Sequence, residues 1–465
     1  MRYISTRGSA PALSFEDAVL AGLASDGGLY VPDAIPTLSA QEIAALKDLP
    51  YNELAYAIIS RFVDDSIPSD ALKNIIDESY KSFRHEDVAP LTKIDDSTYI
   101  LELFHGPTLA FKDFALQFLG RLLDHILQKR NQKVVIVGAT SGDTGSAAIA
   151  GCRGRDNMDI FILHPHNRVS NVQRRQMTTV NDANVHNIAI EGTFDDCQDI
   201  VKALFNDASF REQHKLTAVN SINWARILAQ VVYYFSAALK LGAPEKEISF
   251  SVPTGNFGDI YAGYIAKRMG LPVGKLIIAT NRNDILARTL KTGTYSMEGV
   301  VPTLSPSMDI QISSNFERLL FDLYDHNSNA LTELMSSLRA ERKFSLGETA
   351  LTKLREDFAS ASADDVKTKQ TIAEVHSAHK ELLDPHTAVG YAVGRECHTG
   401  DSPLVVLSTA HPAKFPDAVK AASHVWPDLP EHMADILEKP ERFDVLKNDV
   451  NNVVKYIKNH ADFSR

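Results

Sequence analysis

The chain has 465 residues, 44% hydrophobic and 23% charged, with 24 glycines and 20 prolines. Those proportions exclude a disordered, collagenous or low-complexity protein, and at about 150 residues per domain the length predicts two or three domains. With 59 acidic against 48 basic residues the net charge is -11, which argues against a broad basic surface for nucleic acid or anionic membrane. Any anionic ligand must then be held by a local pocket.

Residues 1–95 read as a separate, mostly helical cap. Helical periodicity over 15–23 runs toward the stop signal Asp26-Gly27-Gly28, and amphipathic stretches follow near 41–46 and 69–83, with Pro90 at the boundary. From about Tyr99 short apolar strands alternate with helices. Strands are expected at 133–138, 159–163, 185–190, 248–252, 275–280 and 403–407, with helices from Thr144 and over 195–205 and 224–241. Such alternation predicts an α/β fold with right-handed crossovers and parallel sheets covered on both faces. The domain division expected along the chain is 1–95, 96–245 and 246–465. The less regular stretch 293–370, with Pro302, Pro306 and several serines, reads as a surface insertion or lid.

Cys152, Cys197 and Cys397 are too few and too irregularly spaced for a disulfide framework or a zinc site. No metal is expected, and His164 with His166 reads as a satisfied or exposed pair. No apolar run follows Met1, and no uninterrupted apolar stretch reaches about 18 residues. Neither a signal peptide nor a membrane span is therefore expected, and a reducing cytoplasm is the expected compartment.

Four segments at strand-to-helix junctions carry chemistry. The first is His105-Gly-Pro-Thr-Leu-Ala-Phe-Lys112-Asp113, ahead of a helix with Phe114, Phe118, Leu122 and Ile126 along one stripe. A helix N-terminus opposes a protonated amine, and a neutral amine is what Schiff-base chemistry requires. From these residues alone, a surface lysine after a proline turn remains the commoner reading. The second is Gly138-Ala-Thr-Ser-Gly-Asp-Thr-Gly145. Its glycines let backbone amides approach an anion, although the spacing fits neither a P-loop nor a dinucleotide fingerprint, and a capped turn is an equal alternative. The third, Pro253-Thr-Gly-Asn-Phe-Gly-Asp259, offers a row of backbone donors suited to a phosphate dianion. The fourth, Ser408-Thr-Ala-His-Pro412, offers the neutral hydroxyl of Thr409; taken alone, either of these two turns is open to a purely structural reading, which for the fourth is the commoner one. Arg168 and Ser170 in one turn, and Asn220 to Arg226 in another, add amide and cationic side chains.

A lysine first and a phosphate-cradling glycine turn later, in that order, resemble the fold-type-II, tryptophan-synthase-β-like pyridoxal-phosphate enzymes. Within them the four motifs, together with Tyr3-Ile-Ser-Thr-Arg-Gly8, Gly27-Gly-Leu-Tyr-Val-Pro32 and Thr-Ala-His-Pro-Ala-Lys-Phe415, are similar to the threonine synthase family over nearly the whole chain. The resemblance implies two open, mostly parallel twisted sheets flanked by helices, with an N-terminal helical cap. It places the lysine and the substrate-carboxylate loop in 96–245 and the cofactor-phosphate loop in 246–465. It implies pyridoxal 5'-phosphate joined to Lys112 as a Schiff base. Gly255, Asn256 and Phe257 would hold the cofactor phosphate, Thr254 and Gly258 would shape that turn with Asp259 close by, and Thr409 would face the pyridine nitrogen. Ser141, Gly142, Asp143 and Thr144 would receive the substrate carboxylate. Asp143 stands where many relatives carry Asn, which leaves its contact to the cofactor open. Arg168, Asn220, Ser221 and Asn223 would bind substrate phosphate. The implied reaction converts O-phospho-L-homoserine and water to L-threonine and phosphate, in a monomer or homodimer with a small-molecule partner and no nucleic acid or membrane. A related dehydratase or sulfhydrylase, and a binding protein that keeps the fold without turnover, are the competing readings.

Overall fold

The computed structural model describes residues 1–461. The chain forms two compact units that are each discontinuous in sequence. One takes residues 1–106 and 221–427, the other 107–220 and, among the described residues, 428–461. The cap stretch is part of the first of these.

The first unit holds a six-stranded sheet in the order Phe358–Ser362, Val273–Thr280, Ile248–Pro253, Leu404–Ser408, Thr98–Glu102, Leu91–Lys93. All neighbours pair in parallel except the last two. Every residue of Ile248–Pro253 and of Leu404–Ser408 is buried, as expected of central parallel strands covered on both faces. The helix Trp224–Leu241 is buried along nearly its whole length. It packs against Tyr51–Ile59 from the cap and against Gly258–Arg268. In the cap, Tyr3–Ser5 pairs antiparallel with Tyr30–Pro32. The first cap helix, Phe15–Ala21, ends earlier than its periodicity predicts because Gly22 takes a left-handed φ of 64°.

The stretch 293–370 differs from the expected surface insertion. Phe358–Ser362 is an edge strand of the sheet, and Phe316–Leu323 is a mostly buried helix. The alternating Phe-Ala-Ser-Ala-Ser run is too polar to announce itself as a strand, yet five backbone pairings to Val273–Thr280 hold it there.

The second unit holds a five-stranded, all-parallel sheet in the order Asp444–Lys447, Val185–Glu191, Met158–Pro165, Val134–Ala139, Leu216–Thr217. The outer strand and the helix Val450–His460 come from the end of the chain. Val453 and Ile457 of that helix join Val135, Phe161 and Ile188 in one core cluster. The fold is thus α/β with two mostly parallel sheets. Among the described residues no helix is long and apolar enough to cross a membrane.

Within this unit Lys112–Arg130 packs directly against Asp143–Cys152. A Cβ at Gly151 would run into the Leu116 carbonyl, and one at Gly120 into the Gly151 carbonyl. The two backbones touch because neither position carries a side chain. Gly151→Ala is expected to lower the free energy of unfolding by about 2 kcal/mol, an overpacking loss larger than the roughly 1 kcal/mol that alanine returns as helix propensity. Urea denaturation tests this, and an unchanged midpoint would mean that the helices part freely.

Candidate active site

In the second unit Lys112 is the first residue of Lys112–Arg130, and Phe111 ahead of it supplies no side-chain cap. The turn is closed instead by the buried Asp113, whose carboxylate accepts from the Thr108 amide at 2.8 Å and the Thr108 hydroxyl at 2.7 Å. An acidic residue in a first turn also complements the helix dipole. Lys112 is only 8% exposed, and its Nζ lies 4.9 Å above the Phe111 ring and 3.5 Å from Asp143 Oδ2. The sequence weighs only the dipole against the ammonium; the neighbouring carboxylate stabilises the charged amine. Asp143 Oδ1 accepts from Gln173 Nε2 at 2.7 Å, and Gln173 Oε1 accepts from the Ser170 hydroxyl at 2.8 Å. The Asp143 carboxylate is shared between Lys112 and Gln173.

Asp143 begins the helix Asp143–Cys152. The buried hydroxyl of Thr140 accepts from the amides of Gly142 and Gly145, each at 2.9 Å, and so winds the turn. Ser141 is exposed and Thr144 half-buried; among the described residues neither hydroxyl has a partner. Arg168 is exposed on the turn after Met158–Pro165. Asn220 Oδ1 is buried without a described partner. His164 is neither exposed nor charged. It is buried within its strand, and that burial pushes its pKa down to about 4. Thr140 lies in a motif the sequence singles out, whereas Gln173 lies on the next helix and has no local signal. Thr140→Val keeps the shape but strands two amides, and is expected to reduce unfolding free energy by about 2 kcal/mol. An unshifted urea midpoint would show that those amides find another acceptor.

In the first unit the strand Ile248–Pro253 feeds the turn 254–258 and then the helix Gly258–Arg268. The Thr254 amide donates to Ala279 O at 2.8 Å, and its hydroxyl donates to Val252 O at 2.6 Å, so this side chain shapes the turn. Phe257 sits at a left-handed φ of 64° with its ring buried against Phe316 and Phe358. A Cβ on Gly255 would lie 2.7 Å from Ser307 O. Among the described residues, the backbone amides of Gly255, Asn256, Phe257 and Gly258 have no acceptor. Four such donors at a helix N-terminus fit a phosphate dianion. Asp259 points elsewhere: its carboxylate accepts from the hydroxyls of Tyr233 and Tyr234, the latter at 3.0 Å, and so anchors the helix start.

Three residues with no local signal support this turn. The Ser313 hydroxyl donates to Gly255 O at 2.7 Å. Asn315 donates to Asn256 O through its amide and through Nδ2, both at 3.0 Å, and Nδ2 also donates to Ser221 O at 3.0 Å. Arg318, fully buried, donates to Asn315 Oδ1, to Tyr30 O at 2.9 Å and to Ile222 O at 2.6 Å. Burial pushes its pKa down to about 10, so it remains cationic at neutral pH. The turn 221–223 is thereby tied to the loop at 254–258. Asn223 is not free to meet a ligand: Oδ1 accepts from Ala225 N and Nδ2 donates to Val19 O at 2.8 Å.

Thr409 follows Leu404–Ser408 and is 6% exposed, with no described partner for its hydroxyl. It is placed through Asp384, which is fully buried. Asp384 accepts from His386 Nδ1 at 2.9 Å and from the Thr387 hydroxyl, and Thr387 in turn bonds Ser408 at 3.1 Å. His411 nearby is held neutral, its pKa pushed down to about 4 by burial first and by His105 second.

Comparison with known proteins is consistent across the chain. Residues 2–80 match the family described as threonine synthase N terminus, 84–334 match pyridoxal-phosphate dependent enzyme, and 387–457 match threonine synthase, C-terminal. A threonine synthase of Pseudomonas aeruginosa is 58% identical over 464 residues, covering 99% of both chains. That of Saccharomyces cerevisiae is 46% identical, covering 90% of this chain and 88% of its own. Among solved structures, the pyridoxal-phosphate-bound threonine synthase of Brucella melitensis superposes with a TM-score of 0.98 at 54% identity over 99% of each chain. The yeast threonine synthase gives 0.94 at 42% identity, over 99% of this chain and 98% of that one. The chain belongs to the threonine synthase family of pyridoxal-phosphate enzymes.

Proposed function

We propose that the chain converts O-phospho-L-homoserine and water to L-threonine and phosphate, with Lys112 as its catalytic amine. The observation that carries the reading is a buried lysine at the first position of a helix, its Nζ against a carboxylate, in a chain of this family.

Bound pyridoxal phosphate supplies an electron-withdrawing ring that acidifies the C–H bonds around the substrate's amino carbon. Lys112 would hold the cofactor aldehyde through Nζ, and once the substrate's amino group replaced it the same Nζ would serve as base for the α proton. Asp143, itself held by Gln173, aims that amine and offsets its charge while it carries the proton. The amides of Gly255, Asn256, Phe257 and Gly258 hold the cofactor phosphate, with Thr254 shaping the turn and Asp259 anchoring it. Thr409 presents a hydroxyl to the ring nitrogen. A hydroxyl stabilises a protonated ring less than a carboxylate would, which leaves a weaker electron sink.

The turn Ser141, Gly142, Asp143, Thr144 takes the substrate carboxylate at a helix N-terminus. Arg168, Asn220 and Ser221 take the substrate phosphate, and Asn223 serves by holding its own turn. In the net reaction the β carbon would lose a proton as the γ C–O bond breaks and phosphate leaves; the γ carbon would then gain a proton to become the methyl group, water would add its hydroxyl at the β carbon with its proton passing to the released phosphate, and the α carbon would be reprotonated. All three cysteines are free thiols, which suits a reducing, cytoplasmic compartment.

Lys112→Ala is expected to lose the visible absorbance of the covalently held cofactor and to lower turnover on the order of 10³-fold or more. Near-native turnover in that variant would overturn the assignment. Arg168→Ala is expected to raise the KM for O-phospho-L-homoserine roughly tenfold, the scale of one charged hydrogen bond, with the cofactor spectrum intact. An unchanged KM would remove Arg168 from the site. Following phosphate release together with threonine, pyruvate and 2-oxobutanoate separates this reaction from a dehydratase or sulfhydrylase.

A further inference from the structure

We propose that Ser313, Asn315 and Arg318 form a bracket that aims the amides of the 254–258 loop, and so set the chain's selectivity for the phosphate of its cofactor. The inference rests on the reading of that loop as the cofactor-phosphate site and names the residues that tune it.

In a trans peptide the C=O and the following N–H point in opposite directions, so fixing one fixes the other. The carbonyl of Gly255 shares its plane with the amide of Asn256, and the carbonyl of Asn256 shares its plane with the amide of Phe257. Ser313 holds the first carbonyl at 2.7 Å, and Asn315 holds the second from two donors at 3.0 Å. Both carbonyls are thus drawn to one side, and the two amides face away from the bracket with no described acceptor. Phe257, at a φ of 64°, is in a conformation that a non-glycine residue keeps only when its surroundings impose it.

Asn315 itself is diverted from its ordinary use. It stands at the N-cap of Phe316–Leu323, where asparagine normally accepts from its own helix, yet no side-chain cap bond forms there. Its Oδ1 accepts from the Arg318 guanidinium instead, which leaves both Nδ2 protons for the carbonyls of Asn256 and Ser221. A charged donor strengthens the acceptor bond and fixes which end of the amide faces the loop. The other arms of Arg318 reach Tyr30 O and Ile222 O. The bracket is therefore tied to the cap and to the 221–223 turn.

Because these residues act through the loop, they are positioning residues, and the test must read the loop. Cofactor-free protein is titrated with pyridoxal phosphate and with pyridoxal, which lacks the phosphate, and both dissociation constants are taken from visible absorbance. The variants are Ser313→Ala, Asn315→Ala and Asn315→Asp, the last of which turns an acceptor toward two carbonyls; urea midpoints confirm that each folds. Each variant is expected to bind pyridoxal phosphate about tenfold or more weakly, with pyridoxal affinity within about twofold of the parent. The ³¹P resonance of the bound cofactor is expected to shift. If the parent prefers the phosphorylated ligand and the variants keep that preference, or if both affinities fall together, the bracket is overturned. A parent chain that binds both ligands equally overturns the loop reading and the bracket with it.

Discussion

A parallel strand cannot turn straight back into its neighbour, so it leaves the sheet at its C-terminal end and returns through a crossover. That constraint arranges the candidate functional turns within each unit. Ile248–Pro253 and Leu404–Ser408 are paired directly, so the 254–258 turn and Thr409 emerge from one edge of one sheet. Val134–Ala139 and Met158–Pro165 are likewise paired, which brings the 140–143 turn and the 166–170 turn to one edge of the other. Each turn opens a helix or a capped segment, and a helix opening leaves amides without intrahelical acceptors. The topology thus supplies helix ends with free amide donors, which suit anions in a chain whose net charge is -11.

Buried charges then fix how those ends are aimed. A charge removed from water persists only when its surroundings supply hydrogen bonds or a counter-charge. Arg318 meets that demand with backbone and side-chain carbonyls, Asp259 with two tyrosine hydroxyls, and Asp384 with His386 and Thr387. These bonds reach candidate turns at several points: Arg318 holds Ile222 O, Asp259 follows the 254–258 turn, and Thr387 bonds Ser408 next to Thr409. His386 extends the pattern, since its Nε2 accepts from Ser307 N at 3.2 Å and the Ser307 carbonyl walls the Gly255 position. At these points the bonds that satisfy a buried charge also hold a candidate loop.

The lysine end works on a different balance. The helix dipole at Lys112 disfavours an ammonium, whereas Asp143 at 3.5 Å favours it. An amine held between two opposed influences is suited to a group that must alternate between carrying a proton and giving it up. The separation that allows the pair to meet depends on the close crossing of Lys112–Arg130 and Asp143–Cys152, which the two facing glycines permit.

By itself the sequence determined the alternating α/β fold, the strand-to-helix turns and the family resemblance, because each of those signals is local. An apolar run, a glycine and a helix start lie within ten residues, and Trp224–Leu241 can be placed to its ends from periodicity alone. What the tertiary structure decided is everything carried by distant pairing. Asp444–Lys447 pairs with Val185–Glu191, although the two are far apart along the chain. The stretch expected to be a surface insertion or lid instead supplies a sheet strand and the residues that hold the 254–258 loop. Asn315 meets Asn256 across 59 positions and Arg318 meets Tyr30 across 288. No window of sequence displays such partners, because hydrogen-bond geometry at those positions exists only after the sheets have formed and excluded water.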